Sequence, residues 1–180
     1  IKMKFNDTIN RLKQAGDLWG VAVGKHALGD MLAVHGGLVD EANRNYRDSL
    51  RLFRKLGDLW MVADTLACLG ISEIKSRNIE EAGNCFRESL ALFYEMGSYV
   101  FIPAVLELLA RIAIITQNLP RAACLIGAAG VVRKSISSED DQFKQTRFKK
   151  IDLNIDEIAA SWSKGKEMSL QQVIQYALSF

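Results

Sequence analysis

Polar turns and long apolar-rich stretches alternate along this chain, and the stretches repeat. Gly16-Asp17-Leu18-Trp19 recurs as Gly57-Asp58-Leu59-Trp60 and, in weaker form, as Gly97-Ser98-Tyr99-Val100. The spacing is about 40 residues, the size of one helix–turn–helix unit. Eleven residues before each glycine stands a matching helix end: Phe5-Asn6-Asp7-Thr8-Ile9, Tyr46-Arg47-Asp48-Ser49-Leu50 and Phe86-Arg87-Glu88-Ser89-Leu90. A second landmark lies inside each copy, as Leu28-Gly29, Leu69-Gly70 and Leu109-Ala110. A third follows as Ala42, Ala82 and Ala122, each four residues before Tyr46, Phe86 and Ile126. Small residues at fixed positions let two helices approach, and large apolar ones fill the groove between them.

Each copy therefore reads as helix, tight turn, helix. The first helices are expected over 18–34, 59–76 and 99–116, and the second over 39–56, 79–96 and 120–134. Asp17, Asp58 and Ser98 are natural N-caps, and Gly57 and Gly97 suit the left-handed position that ends a helix. Pro120 fits a first helical turn, whereas Pro103 predicts a kink or a late start in the third first-helix. Residues 1–15 supply the second helix of an upstream unit, followed by repeats at 16–56, 57–96 and 97–136. The remainder, 137–180, reads as a helical cap with segments over 140–151, 155–164 and 170–178. Ser169 and Gln172 form a capping-box pattern there, and Ile158 with Trp162, and Val173 with Ala177, mark apolar faces. The half-repeat leaves an apolar face uncovered, so the pattern predicts an array that continues upstream, or a homodimer through that end.

The pattern of Leu-Gly, small Ala, aromatic and small residue resembles the tetratricopeptide repeat in a variant of about 40 residues. Leu28-Gly29, Ala42, Tyr46 and Ser49 carry it in one copy, and Leu69-Gly70, Ala82, Phe86 and Ser89 in the next. The proline that often ends the shorter repeat is replaced by Gly57 and Gly97. The tail adds Leu125-Ile126-Gly127-Ala128-Ala129, Trp162-Ser163-Lys164-Gly165 and Ser169-Leu170. It resembles the closing segment of large bacterial signal-transduction ATPases, which include LuxR-type and AfsR-type transcription regulators and ATPase-coupled cyclases. The resemblance implies an all-α, right-handed superhelical solenoid with a C-terminal helical cap. It also implies a cytoplasmic sensor or scaffold region of a multi-domain regulator. The partner would be a protein or peptide, the ATPase domain of the same parent chain, or a small-molecule inducer. The alternative reading is a stand-alone peptide-binding adaptor.

Composition narrows this further. With 49% hydrophobic and 24% charged residues, the chain has the makings of a folded core. Its 23 basic and 21 acidic residues leave a net charge of only +2, without the basic excess expected of a nucleic-acid binder. The densest basic run, Lys144, Arg147, Lys149 and Lys150, follows Glu139, Asp140 and Asp141 and reads as a solvated helix face. No apolar run reaches membrane-spanning length. Cys68, Cys85 and Cys124 form no C-x-x-C pair and read as reduced, buried thiols.

No catalytic constellation, phosphate-binding loop or cofactor motif stands out, so the chain reads as a binder rather than an enzyme. His26 and His35 are nine apart, with His35 in a turn, and do not read as a joint metal site. Candidate binding residues are those that the first helices would present to a concave groove: His26, Asp30, Ala67, Ile71, Lys75, Glu107 and Arg111. Trp19 and Trp60 share one repeat position and are expected to pack between helices.

Overall fold

The same four-residue device closes three helices in turn, and the chain's architecture follows from it. In this computed structural model, which describes residues 2–34, 38–136 and 156–179, Gly16, Gly57 and Gly97 have φ of 75°, 71° and 68°. At each, the glycine N–H and the next N–H turn back to carbonyls of the last helical turn. Gly57 N donates to Arg54 O at 3.2 Å and Asp58 N to Phe53 O at 3.1 Å, with equivalent pairs at Gly16 and Gly97. Only a residue without Cβ adopts this left-handed conformation at no steric cost. The next helix starts at once: Asp17 Oδ1 accepts from Gly20 N at 2.8 Å, and Asp58 Oδ1 from Met61 N at 3.1 Å.

The helices so bounded are α1 (Lys2–Gln14), α2 (Leu18–Val34), α3 (Val39–Leu56), α4 (Leu59–Lys75), α5 (Ile79–Glu95), α6 (Ile102–Ile115), α7 (Leu119–Ile136), α8 (Asp156–Glu167) and α9 (Leu170–Leu178). The described residues contain no strand, and no described helix is long and apolar enough to cross a membrane. The all-helical expectation holds, and helix limits fall within a residue or two of those read from the repeat, except before Pro103. Ser98 makes no side-chain cap bond there. A 3-10 turn, Tyr99–Phe101, comes first, and α6 starts at Ile102 with the proline in its first turn. Proline has no N–H to give and restricts the residue before it, so the helix forms from that point onward. The turn at 35–37 and the segment 137–155, including the basic run, lie outside the described residues.

The chain divides into two compact units, Ile1–Leu92 and Phe93–Phe180. In the first, helices adjacent in sequence pack together through small residues. Gly24 on α2 admits Ile9 of α1, Gly29 on α2 admits the ring of Tyr46 on α3, and Gly70 on α4 admits the ring of Phe86 on α5. Two buried hydroxyls repeat the same bond one copy apart. Ser49 Oγ donates to Ala22 O at 2.8 Å, and Ser89 Oγ to Ala63 O at 2.8 Å. Around them Leu28, Leu32, Phe53, Val62, Leu66 and Leu69 are buried. Burying such side chains stabilises each by roughly 1.5–3 kcal/mol relative to exposure.

In the second unit Phe93 stacks on Phe101 with centroids 4.8 Å apart, and α6, α7 and α8 pack in order. The α7–α8 crossing depends on two reciprocal glycines. A Cβ on Gly127 would lie 2.3 Å from Trp162 O, and one on Gly165 would lie 1.9 Å from Cys124 O. The Gly-Ala-Ala and Trp-x-x-Gly segments of the tail are thus the two sides of one close backbone contact. Trp162 lies against Gly127 of α7 and is 43% exposed, with Lys166 Nζ 4.4 Å from its ring centroid. Ile158, Val173, Ile174 and Ala177 are buried as expected. The Ser169–Gln172 capping box is complete, and α9 is tied down by Arg121, whose Nη2 donates to Ala177 O at 3.0 Å.

Candidate functional site: a histidine and carboxylate cluster on α2 and α4

Residues four apart on a helix share a face, and two such pairs meet in the first unit. On α2 the pair is His26 and Asp30; on α4 it is Asp64 and Cys68. His26 is half-buried, and its Nε2 lies 3.4 Å from Asp30 Oδ2 and 3.5 Å from Asp64 Oδ2. Donor atoms of His26, Asp30 and Cys68 all lie within 4.8 Å of one another. Around this ring a second set of bonds holds the side chains in place. His26 Nδ1 is 3.0 Å from Thr65 Oγ1, and the Tyr46 hydroxyl donates to Asp30 Oδ1 at 2.8 Å. The Tyr46 ring meets the imidazole edge-on, with centroids 5.7 Å apart.

Electrostatics follow from that geometry. Burial works against a charged imidazole, but hydrogen bonding and charge from Asp30, joined by the charge of Asp64, outweigh it. The His26 pKa is held above its ordinary 6.5. Two carboxylates directed at one nitrogen favour a cation at this spot, whether a proton or a metal ion.

The expected groove residues divide between the two units. His26 and Asp30 come together as described, with His26 built into a network rather than solvating a surface. Ala67 and Ile71 are half-buried on α4. Lys75 is exposed, and its Nζ donates to Ala33 O at 2.7 Å near the end of α2, where a cation complements the helix dipole. In the second unit Glu107 pairs with Arg133 of α7, and Arg111 is exposed. Sequence reading passed over Asp64, Thr65 and Cys68. The signal available was Asp64 and Cys68, four apart on one face of α4. Tyr46 was read only as a core aromatic, yet its hydroxyl is the partner of Asp30.

Three further features belong to the same unit. Trp19 and Trp60 are 52% and 40% exposed, which overturns their expected place between helices. They stand at the first turns of α2 and α4, and Trp19 Nε1 reaches across to Asp58 Oδ2 at 3.1 Å. Glu73 is fully buried and bonded by Arg47 Nη2 at 2.5 Å and Asn78 Nδ2 at 2.7 Å. A pocket of about 460 Å³ opens between α3 and α5, with Arg47, Arg51 and Arg54 on one wall and Glu81 and Glu88 on the other. Arg47 pairs with Glu73, Arg51 with Asp48 and Arg54 with Glu88, so the wall carries no uncompensated positive field. Cys85 also lines the pocket; burial and the nearby Glu81, Glu73 and Glu88 push its thiol up to about 12. The three cysteines are free, and Cys68 is half-buried rather than buried.

No family model, curated protein or solved structure matches the chain.

Proposed function

We propose that this chain is a non-catalytic, tetratricopeptide-like binding module, forming the sensor or scaffold part of a multi-domain bacterial transcription regulator or signalling ATPase. The observation that carries the reading is the repetition of buried contacts in register. Gly29 against Tyr46 recurs as Gly70 against Phe86, and Ser49 to Ala22 O recurs as Ser89 to Ala63 O. Contacts repeated at one spacing are what stacked helical pairs need to extend into a superhelical array. Such arrays offer long surfaces for a protein or peptide, and in this reading Ile71 and Lys75 of the first unit face the partner. The partner is a protein segment, in first place the nucleotide-binding module of the same polypeptide. Binding it in one state only would bias an on/off equilibrium.

Two measurements test the proposal. The coding sequence upstream of Ile1 is expected to encode a nucleotide-binding module, and an unrelated upstream sequence would remove the regulator reading. That module, purified separately, is expected to bind this chain in calorimetry, and alanines at Ile71 and Lys75 together should weaken it at least about tenfold, or roughly 1.4 kcal/mol. Unchanged affinity in the double variant would move the binding surface elsewhere.

A further inference from the structure

We propose that His26, Asp30 and Cys68 form a binding site for a divalent transition-metal ion of the zinc type, which joins α2 to α4, with Asp64 beside His26. The inference rests on the geometry of this cluster and is independent of what partner the module recognises.

The first argument is distance. A charged hydrogen bond from an imidazole to a carboxylate runs at about 2.7–2.9 Å. Nε2 of His26 stands off both carboxylates, at 3.4 Å from Asp30 Oδ2 and 3.5 Å from Asp64 Oδ2. Those separations are longer than the shortest charged hydrogen bonds, although the carboxylates still favour a charged imidazole when no ion is bound. The separations also match the edge of a tetrahedron: ligands about 2.0–2.3 Å from a common ion stand roughly 3.3–3.7 Å from one another. The Cys68 sulfur, within 4.8 Å of the His26 and Asp30 donors, needs a shift of about an ångström to complete the set.

The second argument is donor chemistry. One imidazole nitrogen, one thiolate and one carboxylate make a mixed N, S and O set that suits zinc, with a fourth position left for water; calcium and magnesium take oxygen alone. His26 and Asp30 are spaced i, i+4 on one face of α2, and Cys68 comes from α4.

The third argument is the second layer of bonds. Metal-bound histidine needs its other nitrogen held, which fixes the tautomer and aims the lone pair. Thr65 Oγ1, 3.0 Å from Nδ1, does this and leaves Nε2 for the ion. The Tyr46 hydroxyl orients the Asp30 carboxylate by holding Oδ1 at 2.8 Å, while Oδ2 faces His26. A solvated surface cluster has no need of both supports.

The test uses the tag-free full chain, treated with chelator and titrated with cobalt(II) and zinc salts. One cobalt ion per chain is expected, with the intense visible bands of tetrahedral coordination and a near-ultraviolet sulfur-to-cobalt charge-transfer band. Cys68→Ser should abolish the charge-transfer band, and His26→Gln and Asp30→Asn should each weaken zinc binding by tenfold or more. Thr65→Val touches no metal and should still cost about 10–100-fold in affinity. Far-UV circular dichroism identifies any variant that has failed to fold. Cys68→Ser and Thr65→Val, both close in size to the native residues, keep the test decisive if His26→Gln unfolds. Micromolar zinc that does not bind, or a charge-transfer band that survives Cys68→Ser, would overturn the site.

Discussion

Gly70 faces the ring of Phe86 so closely that a Cβ on residue 70 would stand 2.4 Å from Phe86 Cε1. The ring is fully buried and cannot swing away without disturbing the α4–α5 contact. Gly70→Ala should therefore destabilise the chain, although alanine is the better helix former by about 1 kcal/mol. Overpacking costs typically 1–3 kcal/mol, so after the helix gain the expected net loss is up to about 2 kcal/mol in urea denaturation. Adding Phe86→Leu, which shortens the opposing side chain, should return part of it. A Gly70→Ala variant as stable as the parent would show that the contact has slack.

The α7–α8 crossing is tighter, because the opposing atom is backbone. Gly165→Ala places its Cβ 1.9 Å from Cys124 O, which no rotamer change relieves. The loss should reach or exceed the top of the roughly 1–3 kcal/mol range for overpacking. Hydrogen exchange should then show lost amide protection in α8 and α9, with α2 to α4 keeping theirs. Equal protection in α8 for both proteins would refute this account of the crossing.

Legibility in the sequence divides along physical lines. The helix ends were readable because glycine at positive φ and aspartate at an N-cap are chemical necessities of a chain that turns sharply. The small-against-large positions were readable because packing acts on the same residue at each copy. What did not repeat was hidden. Asp64, Thr65 and Cys68 have no counterparts in the neighbouring copies, and their meeting with His26 and Asp30 depends on the angle at which two helices face. Trp19 and Trp60 misled for a related reason. A shared position suggested packing, but both stand at a helix mouth, where the Trp19 indole lies on the surface and still bonds to Asp58. Arg121 escaped notice because nothing local announces that a guanidinium will meet a carbonyl 56 residues further on.

Glu73 is a buried carboxylate held by Arg47, whose own side chain is 49% exposed. Arg47→Met leaves the carboxylate with Asn78 and without its countercharge. Removing one partner of a fully buried pair costs about 3–5 kcal/mol, and access of water through the half-exposed arginine site lowers the expected loss to about 2–3 kcal/mol. Glu73→Gln removes the buried charge and keeps one acceptor oxygen, and half-exposed Arg47 can turn to water, so it should cost less. Thermal or urea denaturation of the two single variants checks the order; a reversed order would mean that the charge on Glu73 is not compensated mainly by Arg47.

The thiols differ in ways that alkylation can read. Cys85 is pushed up to about 12, first by burial and then by Glu81, Glu73 and Glu88, and the Cys124 thiol is raised mainly by burial. Thiolate is the reacting species, so in the chelator-treated chain at about pH 8 iodoacetamide should label half-buried Cys68 well before the other two. Full labelling of Cys85 should need denaturant. The shift also sets a stability trend. The unfolded thiol ionises near 9.0 and the folded one near 12, so the folded state keeps a proton that the unfolded state has released. Stability from this group is intact below pH 9 and declines as pH rises from 9 towards 12. Rapid native-state labelling of Cys85 at neutral pH would contradict both statements.

Asp58 serves two helices with one carboxylate. Its Oδ1 caps α4 by accepting from Met61 N at 3.1 Å, and its Oδ2 accepts from Trp19 Nε1 of α2 at 3.1 Å. Losing an N-cap costs typically about 1 kcal/mol and up to about 2. Asp58→Ala removes the indole bond as well, so its loss should exceed that of Trp19→Phe, which removes the second bond alone. Asp58→Asn should recover most of the cap, since its amide oxygen can still accept from Met61 N. A double-mutant cycle of Asp58→Ala with Trp19→Phe should give a coupling of several tenths of a kcal/mol, because each single change removes the bond the other would have broken. Additive losses would mean that the indole bond contributes nothing to stability and that Trp19 is held at the mouth of α2 by apolar contact alone.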